Sequence, residues 1–166
     1  DNATLTGYVL DNPGELQVSK RAAVLVLPGG GYLFCSDREA EAVAVAFSAQ
    51  GFNTFVLKYS TNQGFEPPFQ EAQQAMQIIH KHSDQWAIDT NKIAVIGFSA
   101  GGHLAAALGT MGTPRPNAMI LGYPAVIGKD WEKTGFKVPD LVEKVTPETS
   151  PCFIMSSSED TVVPII

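Results

Sequence analysis

Cysteine is scarce in this sequence. Cys35 and Cys152 are the only two, too few for a disulfide framework, so the fold has to be held by an apolar core, and the pair leans weakly toward a cytoplasmic compartment. No apolar run reaches the roughly 18 residues that a membrane-spanning helix needs. The opening Asp1-Asn2-Ala3 has neither the basic nor the apolar segment of a signal peptide. Because the first residue is not methionine, a leader already removed is compatible with the sequence, and secretion stays open. Positive charge is also short: 11 Lys and Arg stand against 17 Asp and Glu, a net charge of −6. An acidic surface repels phosphate backbones and anionic lipid, which argues against nucleic acid or a membrane as partner. The GK[ST] ending of a phosphate-binding loop, the GxGxxG spacing of a dinucleotide site and any ligand cluster with zinc spacing are all missing. No metal and no organic cofactor is therefore expected.

What is present is hydrophobic and patterned. At 166 residues, 45% hydrophobic and 17% charged, the chain can bury a real core and reads as one domain, 1–166. The run Ile93-Ala94-Val95-Ile96-Gly97-Phe98-Ser99-Ala100-Gly101-Gly102 is a buried strand that ends in GxSxG and turns into a helix, the pattern of a nucleophile elbow. Serine is a weak nucleophile at its free pKa. It needs a general base within reach of its hydroxyl and fixed donors for the developing oxyanion. Gly97 and Gly101 flank Ser99 where a Cβ would crowd the turn, and Ala100 can offer its N–H at a helix N-terminus. Ala100 to Leu108 is a small-residue helix suited to close packing on a sheet.

A second glycine turn follows another apolar run. Ala22 to Leu27 reads as a strand covered on both faces, and it leads into Pro28-Gly29-Gly30-Gly31-Tyr32. Three successive glycines let backbone N–H groups turn outward toward an oxygen.

The remaining segments alternate. Leu5 to Leu10 reads as a strand, with Gly14 marking the turn after it. Ser36-Asp37-Arg38-Glu39 reads as a capping box opening a helix whose Ala40, Val43, Ala44 and Phe47 share a face, ended by Gly51. Asn53 to Tyr59 is a strand. Pro67-Pro68 opens a helix with Ala72, Ala75, Met76 and Ile79 on one side. Ala118 to Tyr123 and Cys152 to Ser156 are the last strands. This alternation implies an α/β class with a mostly parallel sheet and helices on both faces. Loops after the C-terminal ends of parallel strands share one sheet edge, where ligands bind, and both glycine turns fall there.

Together, the PGGGY loop, the DREAEAVAVAFSAQGFNTFVLKYS segment, the IAVIGFSAGGHLAA elbow and the SEDTVVP segment resemble the α/β-hydrolase superfamily from about Val9 to Pro164. Within it they are similar to acetyl-esterase or acetylxylan-esterase-like carboxylesterases, relatives of the HGGG-type esterases and of prolyl-oligopeptidase-like hydrolases. The resemblance implies that Ser99 is the nucleophile, that Gly30, Gly31 and Ala100 supply oxyanion N–H groups, and that Asp160 is the acid of a Ser-Asp-His triad. Asp160 also follows a strand at the right place to hold an imidazole; Asp89, Asp130 and Asp140 lack that placement. Pro28 stands where the HGGG pattern has histidine, a variant of the acetyl-esterase-like branch. The substrate implied is a small acyl ester, acetylated sugars among them. A prolyl-oligopeptidase-type peptidase is an alternative, though these residues leave no room for that family's extra large domain. A non-catalytic binding protein on the same scaffold is another. The sequence leaves room for a homo-oligomer.

The general base has no candidate. Triad order in this fold is Ser, acid, His, yet only six residues follow Asp160 and none is histidine. His80 and His82 lie two apart on a helix and point to different sides, as on a solvated face. His103, one turn after Ser99, is not the base position of the family. The catalytic histidine is therefore expected in a C-terminal portion absent from this chain, roughly 30 or more residues carrying a further helix and strand. Between Val126 and Thr149, Trp131, Phe136 and Leu141 offer apolar surface to wall an acyl pocket.

Overall fold

A computed structural model of the chain describes residues 3–16, 18–129, 131 and 135–163. Six strands, β1 (Thr4–Tyr8), β2 (Arg21–Leu27), β3 (Asn53–Lys58), β4 (Ile88–Phe98), β5 (Ala118–Gly122) and β6 (Cys152–Met155), form one sheet in the order β1-β3-β2-β4-β5-β6. Only β1 is antiparallel to its neighbour; the other pairings are parallel. Among the described residues, three α-helices connect them: α1 (Glu41–Ser48), α2 (Glu66–Lys81) and α3 (Ala100–Met111).

The pleat sorts side chains to two cores. From β2, Ala23, Leu25 and Leu27 join α2 and α3 on one side, while Val24 and Val26 join Ala40 and Ala44, at the start of and within α1, on the other. Helices thus cover both faces, which is why β2 reads as one unbroken apolar run. Ala72, Ala75, Met76 and Ile79 of α2 are all buried, on the spacing that the sequence displays. Helix α3 is buried from Ala100 to Thr110. Its small residues permit that close approach; a Cβ on Gly109, for example, would stand 2.0 Å from Met119 Sδ.

Two elements differ from the sequence reading. Strand β4 starts at Ile88 instead of Ile93, because Arg21 pairs with Ile88 before an irregularity resets the register to Ala23 opposite Ile93. The polar Asp89-Thr90-Asn91-Lys92 stretch between them carries no strand pattern. The capping box is not formed either. Asp37–Glu39 is a single 3-10 turn, Ser36 makes no side-chain cap bond, and Glu39 points elsewhere.

The chain order creates one switch point. From β2 it steps to β3 on one side, then crosses to β4 on the other and continues outward through β5 and β6. The crevice between the C-terminal ends of β2 and β4 is where an open α/β sheet binds ligands. Strand β6, at the sheet edge, is exposed along its whole length, with Phe153 62% and Ile154 55% accessible.

Candidate active site

Ser99 directly follows β4, at φ 51° and ψ −115°, a region that non-glycine residues enter only when the surroundings enforce it. The enforcement is visible. The Ser99 N–H donates to Gly122 O at 3.0 Å, and the Ser99 carbonyl accepts from His103 N at 3.0 Å and Ala125 N at 3.3 Å. The turn is also sterically sealed. A Cβ on Gly97 would lie 2.0 Å from Gly101 O, and one on Gly101 would lie 2.1 Å from Leu27 O. Both flanking residues therefore have to be glycine. Ser99 itself stays partly accessible, between the half-buried Phe98 and the buried Ala100.

The glycine loop after β2 lies against this elbow. A Cβ on Gly29 would stand 2.8 Å from Phe98 O and 3.2 Å from Ser99 Cβ. The loop folds back on itself: Ser36 N donates to Gly29 O at 2.9 Å, while Leu33 N (3.0 Å) and Phe34 N (3.2 Å) both donate to Gly30 O. Because a trans peptide is planar, fixing a carbonyl fixes the following N–H in the opposite direction. The bond to Gly29 O thus aims the Gly30 amide, and the bonds to Gly30 O aim the Gly31 amide. By the same logic the two bonds to Ser99 O aim the Ala100 amide. None of these three amides has an acceptor among the described residues. Gly30 at φ 131° and Gly31 at φ 63° occupy left-handed backbone, and the space beside Gly31 is open.

Asp160 lies past β6 at the same sheet edge. Its Oδ1 accepts from Val162 N and Val163 N, both at 2.8 Å, and these two donors, Val163 foremost, hold its carboxyl below the usual range. Of the rivals, Asp89 pairs with Lys92 near the start of β4, away from the edge that carries Ser99. Asp140 accepts from Gly128 N and Val142 N. Asp130 and Pro164 lie outside the described residues.

The histidines separate cleanly. Helix α2 leaves the C-terminal end of β3 and returns to the opposite sheet edge, so His80 in its last turn and His82 just beyond are remote from Ser99. His82 stacks on Trp86 and bonds Gln85. His103 is fully buried. Its Nε2 lies 3.1 Å from Pro139 O, and its Nδ1 lies 3.0 Å from the Tyr32 hydroxyl. A carbonyl only accepts, so Nε2 carries the proton and Nδ1 accepts from Tyr32. Burial lowers the His103 pKa to about 4. With both nitrogens engaged in the core, it is a structural residue.

The expectation that Trp131 and Leu141 wall an acyl pocket is corrected. They are 4% and 2% accessible and belong to the core, where Trp131 packs on Tyr32 and His103 and donates from Nε1 to Ala125 O at 2.8 Å.

One residue that the sequence reading placed in a cap belongs instead to the site. Glu39 Oε2 accepts from Gly29 N at 2.7 Å, and its Oε1 accepts from the Tyr123 hydroxyl at 2.6 Å. Its place three residues after Ser36 fitted the capping box equally well, and nothing local distinguishes the two uses.

A strained serine at a strand-to-helix turn, at the switch point of a mostly parallel sheet and beside a glycine loop with free amides, defines the α/β-hydrolase class. A solved α/β hydrolase from a Medee basin deep-sea metagenome library, MGS-M1, superposes with a TM-score of 0.91 and is 45% identical, over 98% of this chain and 66% of its own. The BD-FAE family pattern matches residues 13–116, and the chain belongs to that family. Among curated relatives, endo-1,4-beta-xylanase B of Butyrivibrio fibrisolvens is 33% identical over 88% of this chain, and an acetylxylan esterase of Xylanibacter ruminicola is 30% identical over 87%. The chain spans 28% and 35% of the length of these two proteins. An acetyl ester-xyloside bifunctional hydrolase of Caldicellulosiruptor lactoaceticus gives a TM-score of 0.86 at 28% identity, over 96% of this chain and 68% of its own. Among the described residues, no helix is long and apolar enough to cross a membrane.

Proposed function

We propose that these residues carry the nucleophile and the oxyanion donors of a serine carboxylesterase that removes short acyl groups, acetyl foremost, from sugar esters. The observation that carries this reading is the backbone of Ser99, held at φ 51° at the switch point with the amides of Gly30, Gly31 and Ala100 unclaimed. Strain of this kind persists where the surrounding structure enforces it and clusters at active sites. The acetylxylan esterase of Xylanibacter ruminicola and the acetyl ester-xyloside hydrolase of Caldicellulosiruptor lactoaceticus support the choice of substrate.

In this mechanism the Ser99 oxygen attacks the ester carbonyl as a histidine removes its proton. The three amides receive the charge on the carbonyl oxygen, and the alcohol leaves with the proton from the imidazolium. Water then repeats the sequence on the acyl-serine and releases the acid. The role of Asp160 is to hold the imidazole in the productive tautomer and to stabilise it when protonated. His103, His80 and His82 are unsuited to be that base, so we assign the base to a histidine beyond these 166 residues, in a segment that covers β6. The exposure of both faces of β6 supports this, since an apolar strand of a parallel sheet requires cover.

The test is covalent labelling. In the full-length protein carrying this sequence, a fluorophosphonate modifies Ser99 and p-nitrophenyl acetate is turned over, and Ser99→Ala abolishes both. A full-length protein that stays unlabelled at Ser99 overturns the esterase reading in favour of a binding protein on this scaffold. Cleavage of prolyl peptides without ester turnover would favour the peptidase.

A further inference from the structure

One carboxylate joins two strand ends beside a third. Gly29 follows β2, Ser99 follows β4 and Tyr123 follows β5, and Glu39 bonds the first through Oε2 and the last through Oε1. Glu39 Oε2 and Ser99 Cβ both lie within 3.2 Å of the point that a Gly29 Cβ would occupy. Position 29 has to be glycine because the carboxylate and the elbow fill that place. Tyr123 in turn follows Gly122, whose carbonyl receives the Ser99 N–H, and its own N–H is bonded to Met155 O of β6.

The peptide geometry gives this contact a consequence. The bond from Ser36 N to Gly29 O sets the peptide plane on the C-terminal side of Gly29, the plane that contains the Gly30 amide. The bond from Gly29 N to Glu39 sets the plane on the N-terminal side. Glycine is free to rotate about both of its dihedrals, so a loop of three glycines needs both planes held if its amides are to keep one direction. The first of the two holds is a backbone bond; the second plane is held at its carbonyl by the Tyr59 hydroxyl, which donates to Pro28 O at 2.6 Å, and at its N–H by Glu39, the hold nearest the glycines.

We infer that Glu39 is a positioning residue for the oxyanion loop, orienting the Gly30 and Gly31 amides toward Ser99 by anchoring Gly29 to the Tyr123 segment. This rests on the esterase reading above. Glu39 touches neither substrate nor the serine hydroxyl in this role. It acts through the loop, and its effect falls on the charged transition state more than on the neutral ester.

The experiment uses the full-length protein with three variants. Glu39→Ala removes both anchors. Glu39→Gln keeps them, because the amide oxygen can accept from Gly29 N while its NH2 donates to the Tyr123 oxygen. Tyr123→Phe releases one anchor and serves if Glu39→Ala does not fold. For p-nitrophenyl acetate, Glu39→Ala is expected to lose about 10²-fold in kcat with KM nearly unchanged, as for a misplaced oxyanion donor. Inhibition by a trifluoromethyl ketone, whose adduct carries the oxyanion, is expected to weaken by a similar factor. Glu39→Gln is expected to restore most of both, and Tyr123→Phe to lose roughly 10-fold in kcat.

A Glu39→Ala protein with wild-type kcat overturns the inference alone. So does a folded Glu39→Gln protein as impaired as Glu39→Ala, since that would mean charge and not anchoring matters. A wild-type protein that neither turns over ester nor labels at Ser99 overturns the esterase reading, and the inference with it.

Discussion

The hydroxyl of Tyr32 lies 3.0 Å from Nδ1 of His103, joining the end of the glycine loop to the helix that begins just after Ser99. Tyr32 sits at φ 60°, and both side chains are fully buried among Phe65, Trp131 and one another. The pair locks the loop and the elbow helix together from beneath. Burial raises the Tyr32 pKa and lowers that of His103, so both stay neutral.

This pair sets a pH dependence. Folding lowers the His103 pKa from 6.5 to about 4, so between those values the unfolded chain binds a proton that the folded one does not. Stability therefore rises with pH across this window and is lost on acidification from about 6.5 toward 4, by about 3 kcal/mol at most. Urea unfolding at pH 7 and pH 4.5 measures the loss, and the slope should flatten in His103→Gln. An imidazole resonance of His103 titrating near 6.5 by NMR would contradict the burial argument.

The strain at Ser99 makes a second prediction. Glycine adopts φ 51° freely, whereas alanine does not. Ser99→Gly is expected to be more stable than Ser99→Ala by about 1 kcal/mol, corresponding to roughly 2–4 °C in Tm, after the entropic cost of glycine is deducted. Calorimetry decides it, and equal melting temperatures would show that the turn holds no strain.

The packing at the elbow makes a third. An alanine Cβ at position 101 meets the backbone oxygen of Leu27 at 2.1 Å and that of Pro28 at 2.4 Å. Neither can move without shifting β2, so Gly101→Ala is expected to cost more than the roughly 1–3 kcal/mol of ordinary overpacking. At Gly31 nothing lies within 4 Å. Gly31→Ala should cost only the left-handed backbone penalty, about 1–2 kcal/mol. Denaturant midpoints of the two variants give the comparison, with the reverse order counting against the geometry.

Asp160→Asn tests the acid. Asparagine still accepts the Val162 and Val163 amides through its oxygen, so the loop is kept while the charge goes. If Asp160 orients the base, kcat falls by about 10⁴, and Glu159→Gln leaves it unchanged. A loss of less than tenfold at Asp160 reassigns the acid.

Local chemistry made much of this legible. The spacing of Ala72, Ala75, Met76 and Ile79 placed α2, and the apolar run before Pro28 placed β2, because each pattern reflects what one face of the element buries. GxSxG located the elbow because two of its glycines are dictated by contacts within a single turn and its neighbouring strand. Other features were hidden. Asp89 to Lys92 looks like a loop, and only the pairing of Arg21 with Ile88 extends the strand through it. Trp131 and Leu141 are apolar residues in a polar stretch, and whether they line a pocket or fill the core depends on Tyr32 and His103, over 25 residues distant in sequence. Glu39 fits a helix cap by spacing. Its real partners, Gly29 and Tyr123, are 10 and 84 positions away.

The sequence by itself determined the α/β class, the place of the strained serine and the glycine loop, because periodicity, glycine and chain direction act over short separations. The tertiary structure alone decided which amides are left without acceptors, that His103 is spent in the core, and that one carboxylate ties the ends of β2 and β5. Those outcomes depend on which distant groups meet at the switch point, and a hydrogen bond has one partner in space whatever its spacing along the chain.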